Sequence, residues 1–353
     1  MPKFSQIVGH EETIAHLKTA IWNNRVSHAY IFQGAPGSGK HTLADAFAAA
    51  LQCETLNASL SDREVSGREA SGSEESCALC DSCGECRSCH QIQRHNHPDL
   101  IYVTHEKENT ISIDDIREQV IGDIQVKPYN NRRKVYIIPD AQLMNTYAQN
   151  ALLKTLEEPP EYAVILLLTT NAGVFLDTIR SRCIVLDLKP VRDDQVMHYL
   201  MEHVQIPDYQ AKLCAAFAQG SIGRAMALAN SEDFQDLREL ALRTVRKAGE
   251  LDAGRINEIT EELAQQKKNI YDFLDILAVW YRDVLFFKAT RSPDSLIFRD
   301  QLQFISLSAS KASYEGLETT LSALEVAKRR LEANAGFELT MQLLLLTMRD
   351  CMK

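Results

Sequence analysis

Hydrophobic residues in the first half of the chain form short runs that alternate with helical patterns. Apolar residues recur every three to four positions at Ile14, Leu17 and Ile21, for example, which is the spacing of one helix face. Such patterns predict helices over 11–23, 40–51, 112–120 and 144–156. Continuous apolar runs predict buried strands at 29–32, 100–103, 135–138, 164–168 and 184–188. Apolar strands that alternate with helices are typical of a parallel sheet covered on both faces.

The pattern changes after Pro190, where the sequence predicts only helices. They are expected at 195–204, 209–218, 222–229, 235–248, 256–265, 270–289, 314–333 and 337–351. The predicted fold class is therefore α/β followed by all-α. We expect three domains: an α/β domain over 1–188, a small helical domain over 189–231 and a larger helical bundle over 232–353.

One segment of the first half lacks apolar periodicity. Thr55–Ser76 is rich in Ser, Glu and Gly and contains no aromatic residue. Such a composition buries too little apolar surface to order itself, so we expect a disordered loop.

A glycine-rich turn follows the first predicted strand and opens a helix. Its pattern, G-x-x-x-x-G-K, is that of a phosphate loop, in which backbone N–H groups surround a phosphate and the lysine reaches the outer phosphates. A Ser or Thr after the lysine normally holds Mg²⁺. Here that residue is His41, and Thr42 comes one position late. The candidate nucleotide-binding residues of the loop are Gly34, Gly37, Ser38, Gly39, Lys40, His41 and Thr42. The alternative is a tight strand-to-helix turn that holds no nucleotide.

An ATPase of this type also needs a strand that ends in a carboxylate for Mg²⁺, commonly beside a glutamate that activates water. Asp140 follows an apolar run at the expected place. The next residue is Ala141, which has no proton-transfer group, and the next carboxylate is Glu157. As a catalytic strand this segment is incomplete.

Six of the nine cysteines lie between Cys53 and Cys89. Cys83, Cys86 and Cys89 form two overlapping C-x₂-C steps, a spacing that suits tetrahedral Zn²⁺ once a fourth thiolate joins them. Cys53, Cys77 and Cys80 are the candidates for that ligand. His90, His95 and His97 also lie nearby, and a redox dithiol is the weaker alternative.

The 353-residue chain has a formal charge of −10, which disfavours a protein that grips nucleic acid alone. It begins without an apolar leader, and its longest apolar run is too short to cross a bilayer. We therefore expect a cytoplasmic protein.

Taken together, the motifs resemble the clamp-loader AAA+ family of bacterial DNA polymerase III, over most of the chain. The segment N-A-L-L-K-T-L-E-E-P-P at 150–160 and the Ser181-Arg182-Cys183 motif are the most specific. Phe4–His10 is similar to the family's adenine-side segment. The cysteine-rich insertion at 54–89 is similar to its zinc module.

The resemblance implies a role for each matching residue. Arg182 would be an arginine finger that acts on a neighbouring subunit, Thr170 and Asn171 would form the first sensor, and Val8 would lie at the nucleotide. Cys53, Cys83, Cys86 and Cys89 would be the zinc ligands, with Cys77 or Cys80 as alternatives. It also implies an AAA+ domain, a helical lid and a C-terminal collar.

The family further implies partners and cofactors. The partners would be the gamma/tau and delta subunits in a hetero-oligomer, with the sliding clamp and primed DNA reached through that complex and no membrane. Zinc is expected, and ATP or ADP would bind without hydrolysis if it binds at all. The chain would then belong to a DNA-directed DNA polymerase holoenzyme, a nucleotidyltransferase.

Three positions depart from the motor subunits of this family. His41, Ala141 and Gly223 replace the Mg²⁺-binding hydroxyl, the catalytic carboxylate and the arginine of the second sensor. These departures favour a member that holds the complex together without hydrolysing ATP. The alternative is a working motor subunit with unusual motifs, which Lys40 and Asp140 favour.

Overall fold

The computed structural model describes residues 3–66, 80–105, 107, 110–130, 132–265, 269–333 and 335–351. Contacts divide the chain into two compact units. The first contains Met1–Gln195 and Gly220–Arg224, and the second contains Val196–Gln219 and Ala225–Lys353. The finer three-domain division at 188 and 231 stays a prediction.

The first unit is built on a parallel sheet, and the predicted α/β class is confirmed. In the described residues its strands are β1 (Ala29–Gln33), β2 (Leu100–Tyr102), β3 (Lys134–Ile138), β4 (Ala163–Thr169) and β5 (Ile184–Asp187), in the spatial order β2-β3-β4-β1-β5. The helices of the N-terminal part are α1 (Glu11–Trp22), α2 (Lys40–Gln52), α3 (Glu54–Ser66), α4 (Arg87–Gln93) and α5 (Ile113–Ile116), which continues as a π-helix over Arg117–Ile121. Further along lie α6 (Thr146–Glu157) and α7 (Asp177–Arg180).

Alternate residues of the interior strand β1 enter two different cores. Tyr30 and Phe32 join a cluster with α2, whereas Ile31 joins a cluster with α6 on the opposite face. Because successive side chains of a strand point to opposite faces, an apolar strand requires helices on both sides. The apolar runs in the sequence reflect this double burial.

Residues 55–66 correct one prediction. The structure contains the helix α3 where composition predicts the first part of a disordered loop. Leu56 is buried and Leu60 packs against the same core, so two apolar residues four positions apart give the helix a buried side. The average composition of the segment did not reveal this pair of leucines, because most of the other residues are polar. The rest of the predicted loop, residues 67–76, lies outside the described residues.

The second unit is helical throughout its described residues, as predicted. Its helices are α8 (Asp193–His203, which begins in the first unit), α9 (Asp208–Ala218), α10 (Ile222–Ala229, which also begins in the first unit), α11 (Glu232–Arg246), α12 (Ala253–Gln265), α13 (Ile270–Thr290), α14 (Leu302–Lys311), α15 (Tyr314–Glu332) and α16 (Phe337–Cys351). The helix α13 packs against α11, α14 and α15, with Trp280 buried against Phe298. In the described residues no helix is long and apolar enough to cross a membrane.

Candidate functional site

The predicted phosphate loop lies between the carboxyl end of β1 and the first residue of α2. Gly37 and Gly39 have φ angles of 73° and 90°, in the left-handed region that side chains with a Cβ rarely adopt. The loop therefore has the strand–turn–helix geometry that the motif requires, and its glycines are needed for its shape.

The side chain of Lys40 is engaged by the loop itself. Its Nζ donates hydrogen bonds to the carbonyls of Gly34 (2.6 Å) and Ala35 (2.9 Å), and the residue is 6% exposed. Burial lowers the pKa of the ammonium group, and the nearby charge of Asp140 opposes that shift. The lysine and the predicted Mg²⁺ carboxylate are therefore close enough to interact, while His41 and Thr42 are exposed at the start of α2.

The segment at the start of α10 closes over this loop. Ser221 Oγ donates to the carbonyl of Pro36 (3.0 Å), and the amide of Gly223 donates to the carbonyl of Gly37 (3.0 Å). A Cβ added to Gly223 would lie 2.9 Å from the Cα of Gly37. The two backbones can approach this closely only because both residues are glycines. We call this contact the glycine latch. The sequence singled out Gly223 only as the absence of an arginine.

A cleft of about 440 Å³ lies at the predicted adenine-side segment. Gly9, His10 and Thr13 line one wall, and Pro190 and Val191 line the other. His10 Nε2 donates to the carbonyl of Ser38 (2.9 Å), which joins the cleft to the phosphate loop. The predicted nucleotide residue Val8 is partly buried next to this wall and does not line the cleft.

A glutamine that the motifs do not include connects two predicted site residues. Gln142 Nε2 donates to the Asp140 carboxylate (3.0 Å), and its Oε1 accepts from the amide of Thr170 (3.3 Å). Asn171, predicted in the first sensor, accepts through Oδ1 from the amide of Gly173 (2.8 Å). Ala141 is fully buried, so no carboxylate takes the place of the missing glutamate at that position.

Arg182, the predicted arginine finger, lies partly exposed beyond α7. Its guanidinium forms an ion pair with Glu157 and donates to the carbonyl of Thr178 (2.9 Å). Glu157 belongs to the 150–160 motif. The two most specific motifs are thus joined within one chain, a contact that sequence spacing could not reveal.

Four cysteines converge at the other end of α2. The Sγ atoms of Cys53, Cys83, Cys86 and Cys89 all lie within 4.8 Å of one another. Four thiolates around one Zn²⁺ at about 2.3 Å would be about 3.8 Å apart, and the Sγ atoms of Cys83 and Cys89 are separated by 3.9 Å. This set fits a tetrahedral metal centre.

The surroundings of the cluster place hydrogen-bond donors on its sulfurs. Backbone amides of Glu85 and Cys86 donate to Cys83 Sγ at 3.4 and 3.3 Å, and the amide of Cys83 donates to Cys53 Sγ at 3.4 Å. A hydrogen bond from Cys89 lowers the pKa of Cys53 to about 4, and the pKa of Cys89 is raised in return. Amide donors of this kind orient and stabilise metal-bound sulfur.

Of the two alternative cysteines, one lies within the described residues. Cys80 is buried but is not part of the four-sulfur set, and Cys77 lies outside the described residues. His97, adjacent in sequence, is buried and pairs through Nε2 with Ser88 Oγ (2.9 Å) rather than with the cluster. Among the cysteines that the structure describes, the four that match the family pattern are the ones that the fold brings together.

The cysteine module also holds the N-terminal segment. The carboxylate of Asp81 accepts from the amides of Phe4 and Ser5 (3.1 Å each), and Lys3 Nζ donates to the carbonyl of Cys83 (3.2 Å). This segment leads directly to the cleft beside the phosphate loop. The module therefore supports one wall of the candidate nucleotide site, a link that no motif indicated.

Comparison with known proteins identifies the relatives of the chain. The family described as "DNA polymerase III, delta subunit" matches residues 9–192. The one described as "DNA polymerase III, delta subunit, C terminal" matches residues 232–349.

Individual relatives differ in how much of the chain they cover. The DNA polymerase III subunit delta' of Bacillus subtilis is 28% identical over 338 residues, which are 95% of this chain and 94% of that protein. The subunit tau/gamma of Haemophilus influenzae is 35% identical over 230 residues, 64% of this chain. The chain spans only 30% of the length of that relative. A DNA polymerase III gamma subunit-related protein from Thermotoga maritima has 18% identity and a TM-score of 0.42, and covers 96% of this chain and 99% of its own.

Proposed function

Because the chain belongs to the DNA polymerase III delta-subunit family, we propose that it acts as the delta-prime subunit of a clamp loader. In this role it assembles with the gamma/tau and delta subunits of a hetero-oligomer that loads the sliding clamp onto primed DNA, and it does so in the cytoplasm. The delta' relative matches almost the whole chain, whereas the tau/gamma relative matches 64% of it. This difference favours a delta-prime role over a motor subunit.

The engagement of Lys40 by its own loop is the observation that carries the proposal of a subunit that does not turn over ATP. A phosphate loop acts through free backbone N–H groups and a lysine that reaches the phosphates. Here Lys40 Nζ instead donates to two carbonyls of its own loop, those of Gly34 and Ala35. The absence of a glutamate beside Asp140 also disfavours ATP hydrolysis by this chain, because removing a general base typically lowers the rate by about 10²–10⁴-fold.

The second candidate is a motor subunit with an unusual site. The proximity of Lys40 and Asp140 favours it, because both groups are needed for a Mg²⁺-nucleotide complex. In either case Arg182 remains available to a neighbouring subunit, and we assign it the role of an arginine finger that acts in trans.

Reconstitution separates the two candidates. We expect the isolated chain to hydrolyse no ATP above background, and complexes that carry Lys40→Ala or Asp140→Asn in this chain to load clamps at the wild-type rate. Asp140 is exposed, so its variant tests the motor hypothesis without disturbing the loop. Assembled complexes that lose loading with either variant would support the motor subunit instead.

We further propose that the four-cysteine cluster holds Zn²⁺. Tetrahedral Cys₄ sites are typical of structural zinc, which contributes to folding and leaves no open position for substrate. Cys53, Cys83, Cys86 and Cys89 would bind the ion, and their place between α2 and the N-terminal segment gives it a structural role. A redox dithiol is disfavoured because all four sulfurs, not two, converge.

A further inference from the structure

A buried carboxylate holds the backbone of the segment that precedes β3, at Tyr129 and Asn130. Asp99 is 1% exposed, and its two oxygens accept hydrogen bonds from the amides of Tyr129 (2.6 Å) and Asn130 (2.9 Å). A buried carboxylate that is satisfied by backbone amides holds those amides in one arrangement. The backbone of Tyr129 and Asn130 is therefore held in place under their exposed side chains.

The two ends of the same segment are also tied down. Lys134 forms an ion pair with Asp123 (2.8 Å) and donates to the carbonyl of Val126 (3.3 Å). Gln52 Nε2 donates to the carbonyl of Arg133 (2.9 Å). These bonds connect the segment to α2 and to the first residue of β3, so that little ordering remains to be done when a ligand binds.

A cleft of about 660 Å³ opens beside this segment. Its lining contains three cationic side chains, from Lys127, Arg132 and Arg133, and a single carboxylate, from Glu161. Because Arg133 and Glu161 lie just before β3 and β4, the cleft lies at the amino ends of the parallel strands. The phosphate loop follows the carboxyl end of β1, at the opposite edge of the sheet.

The charges in the cleft are unfavourable to one another. Burial lowers the pKa of the Arg133 guanidinium, the Tyr30 hydroxyl opposes that shift, and neighbouring Arg132 lowers it further. Arg133 itself donates to a neutral amide oxygen, that of Asn24 (2.9 Å). Like charges held together in a concave surface raise the local potential and attract anions. The chain as a whole has a net charge of −10, so a local cluster of cations is contrary to its overall charge.

We propose that this cleft binds the phosphodiester groups of single-stranded nucleic acid. The two arginines carry planar forks of N–H donors that match phosphate oxygens, although Arg132 already donates to Ser61 Oγ (2.6 Å), and Lys127 adds a third cation to the lining. Tyr129 does not line the cleft itself, but it is 85% exposed two residues from Lys127, and an exposed aromatic ring in this position is suited to stack on an unpaired base. The proposal concerns direct contact by this chain and does not depend on the state of the phosphate loop.

The test measures binding of a fluorescent oligothymidylate to the full chain at several salt concentrations. The variant K127Q/R132Q removes two exposed cations, and R94Q/R117Q removes two exposed cations elsewhere in the same unit. Each lost phosphate contact lowers the slope of log K against log salt by about 0.7 for a single strand. We expect K127Q/R132Q to reduce the slope by about 1.4 and the affinity by roughly tenfold. The slope and the affinity of R94Q/R117Q should equal those of the wild type.

The variant Y129A tests whether the cleft binds single-stranded rather than double-stranded nucleic acid. It should weaken oligothymidylate binding by about fivefold or more and leave duplex binding unchanged, because only unpaired bases expose a face for stacking. Equal slopes for wild type and K127Q/R132Q, or equal losses in the two double variants, would overturn the site. Equal binding of duplex and single strand with no effect of Y129A would overturn the single-strand assignment. Unchanged melting temperatures confirm that each variant is folded.

Discussion

The guanidinium Nη2 of Arg182 lies 2.9 Å from a carboxylate oxygen of Glu157. Both side chains are partly exposed, so water screens the pair and its contribution to stability is small. The contact instead holds the arginine beside the 150–160 motif. An arginine finger that is oriented before assembly loses less side-chain freedom when it reaches a neighbour's phosphate.

The first prediction concerns Arg182. Replacement by alanine should reduce ATP hydrolysis at the neighbouring site by about 10³, without weakening assembly. The DNA-stimulated ATPase of the whole complex should then fall by the share of that site. Arg180→Ala is the matched control, since Arg180 is an exposed arginine of the same segment that pairs with Asp177. A mutant complex with wild-type ATPase would exclude Arg182 as a finger.

The second prediction concerns the glycine latch. Gly223→Ala should lower the free energy of unfolding by about 1–3 kcal/mol, because its Cβ has no room beside Gly37. Helix propensity alone would act in the opposite direction, with a gain of up to about 1 kcal/mol. Gly336→Ala is the control, since a Cβ there meets no atom within 4 Å. Chemical denaturation measures both, and a stabilised Gly223→Ala would contradict the latch.

The third prediction concerns the cysteine cluster. Cys89→Ser should abolish stoichiometric zinc, measured by elemental analysis of the purified chain, and should lower the melting temperature. Cys80→Ala should retain the metal, because Cys80 lies nearby in sequence but outside the four-sulfur set. Zinc lost from Cys80→Ala and kept by Cys89→Ser would reverse the ligand assignment.

The fourth prediction concerns the pH dependence of stability at His97. Burial lowers the pKa of this side chain from 6.5, against the opposing charges of Asp99 and Glu54. Its Nδ1 accepts from the amide of Asp99 (3.1 Å), which requires the neutral ring. Below the unfolded pKa the unfolded chain binds the proton more readily, so stability is lost as the pH falls through about 6.5 and below.

Thermal unfolding between pH 5 and 8 checks that stability falls as the pH is lowered. His97→Gln should flatten the dependence, since an amide accepts the same bond and does not titrate in that range. His16→Gln, at an exposed position, should leave the dependence as in the wild type. A profile of His97→Gln that matches the wild type would show that another group is responsible.

Much of the fold was predictable from local patterns. The five strands and most of the long helices were predicted to within a few residues, because their apolar periodicity reflects burial directly. The helix α14 (Leu302–Lys311) was missed because its apolar residues do not follow one face: Phe304 and Leu307 are exposed, whereas Ser308 is buried. The helix α3 was predicted as a loop because few apolar residues mark its buried side. The phosphate loop was predicted because its conformation demands glycine at fixed positions.

The sequence by itself determined the two-part architecture, the phosphate-loop turn and the family resemblance, since these depend on residues close together in the chain. Only the tertiary structure decided which four cysteines meet, because Cys53 and Cys83 are joined by folding across a long insertion. It also decided that Gly223 closes over Gly37, and that Lys127 and Arg133 share a cleft. Such contacts depend on how distant segments pack, which local periodicity does not encode.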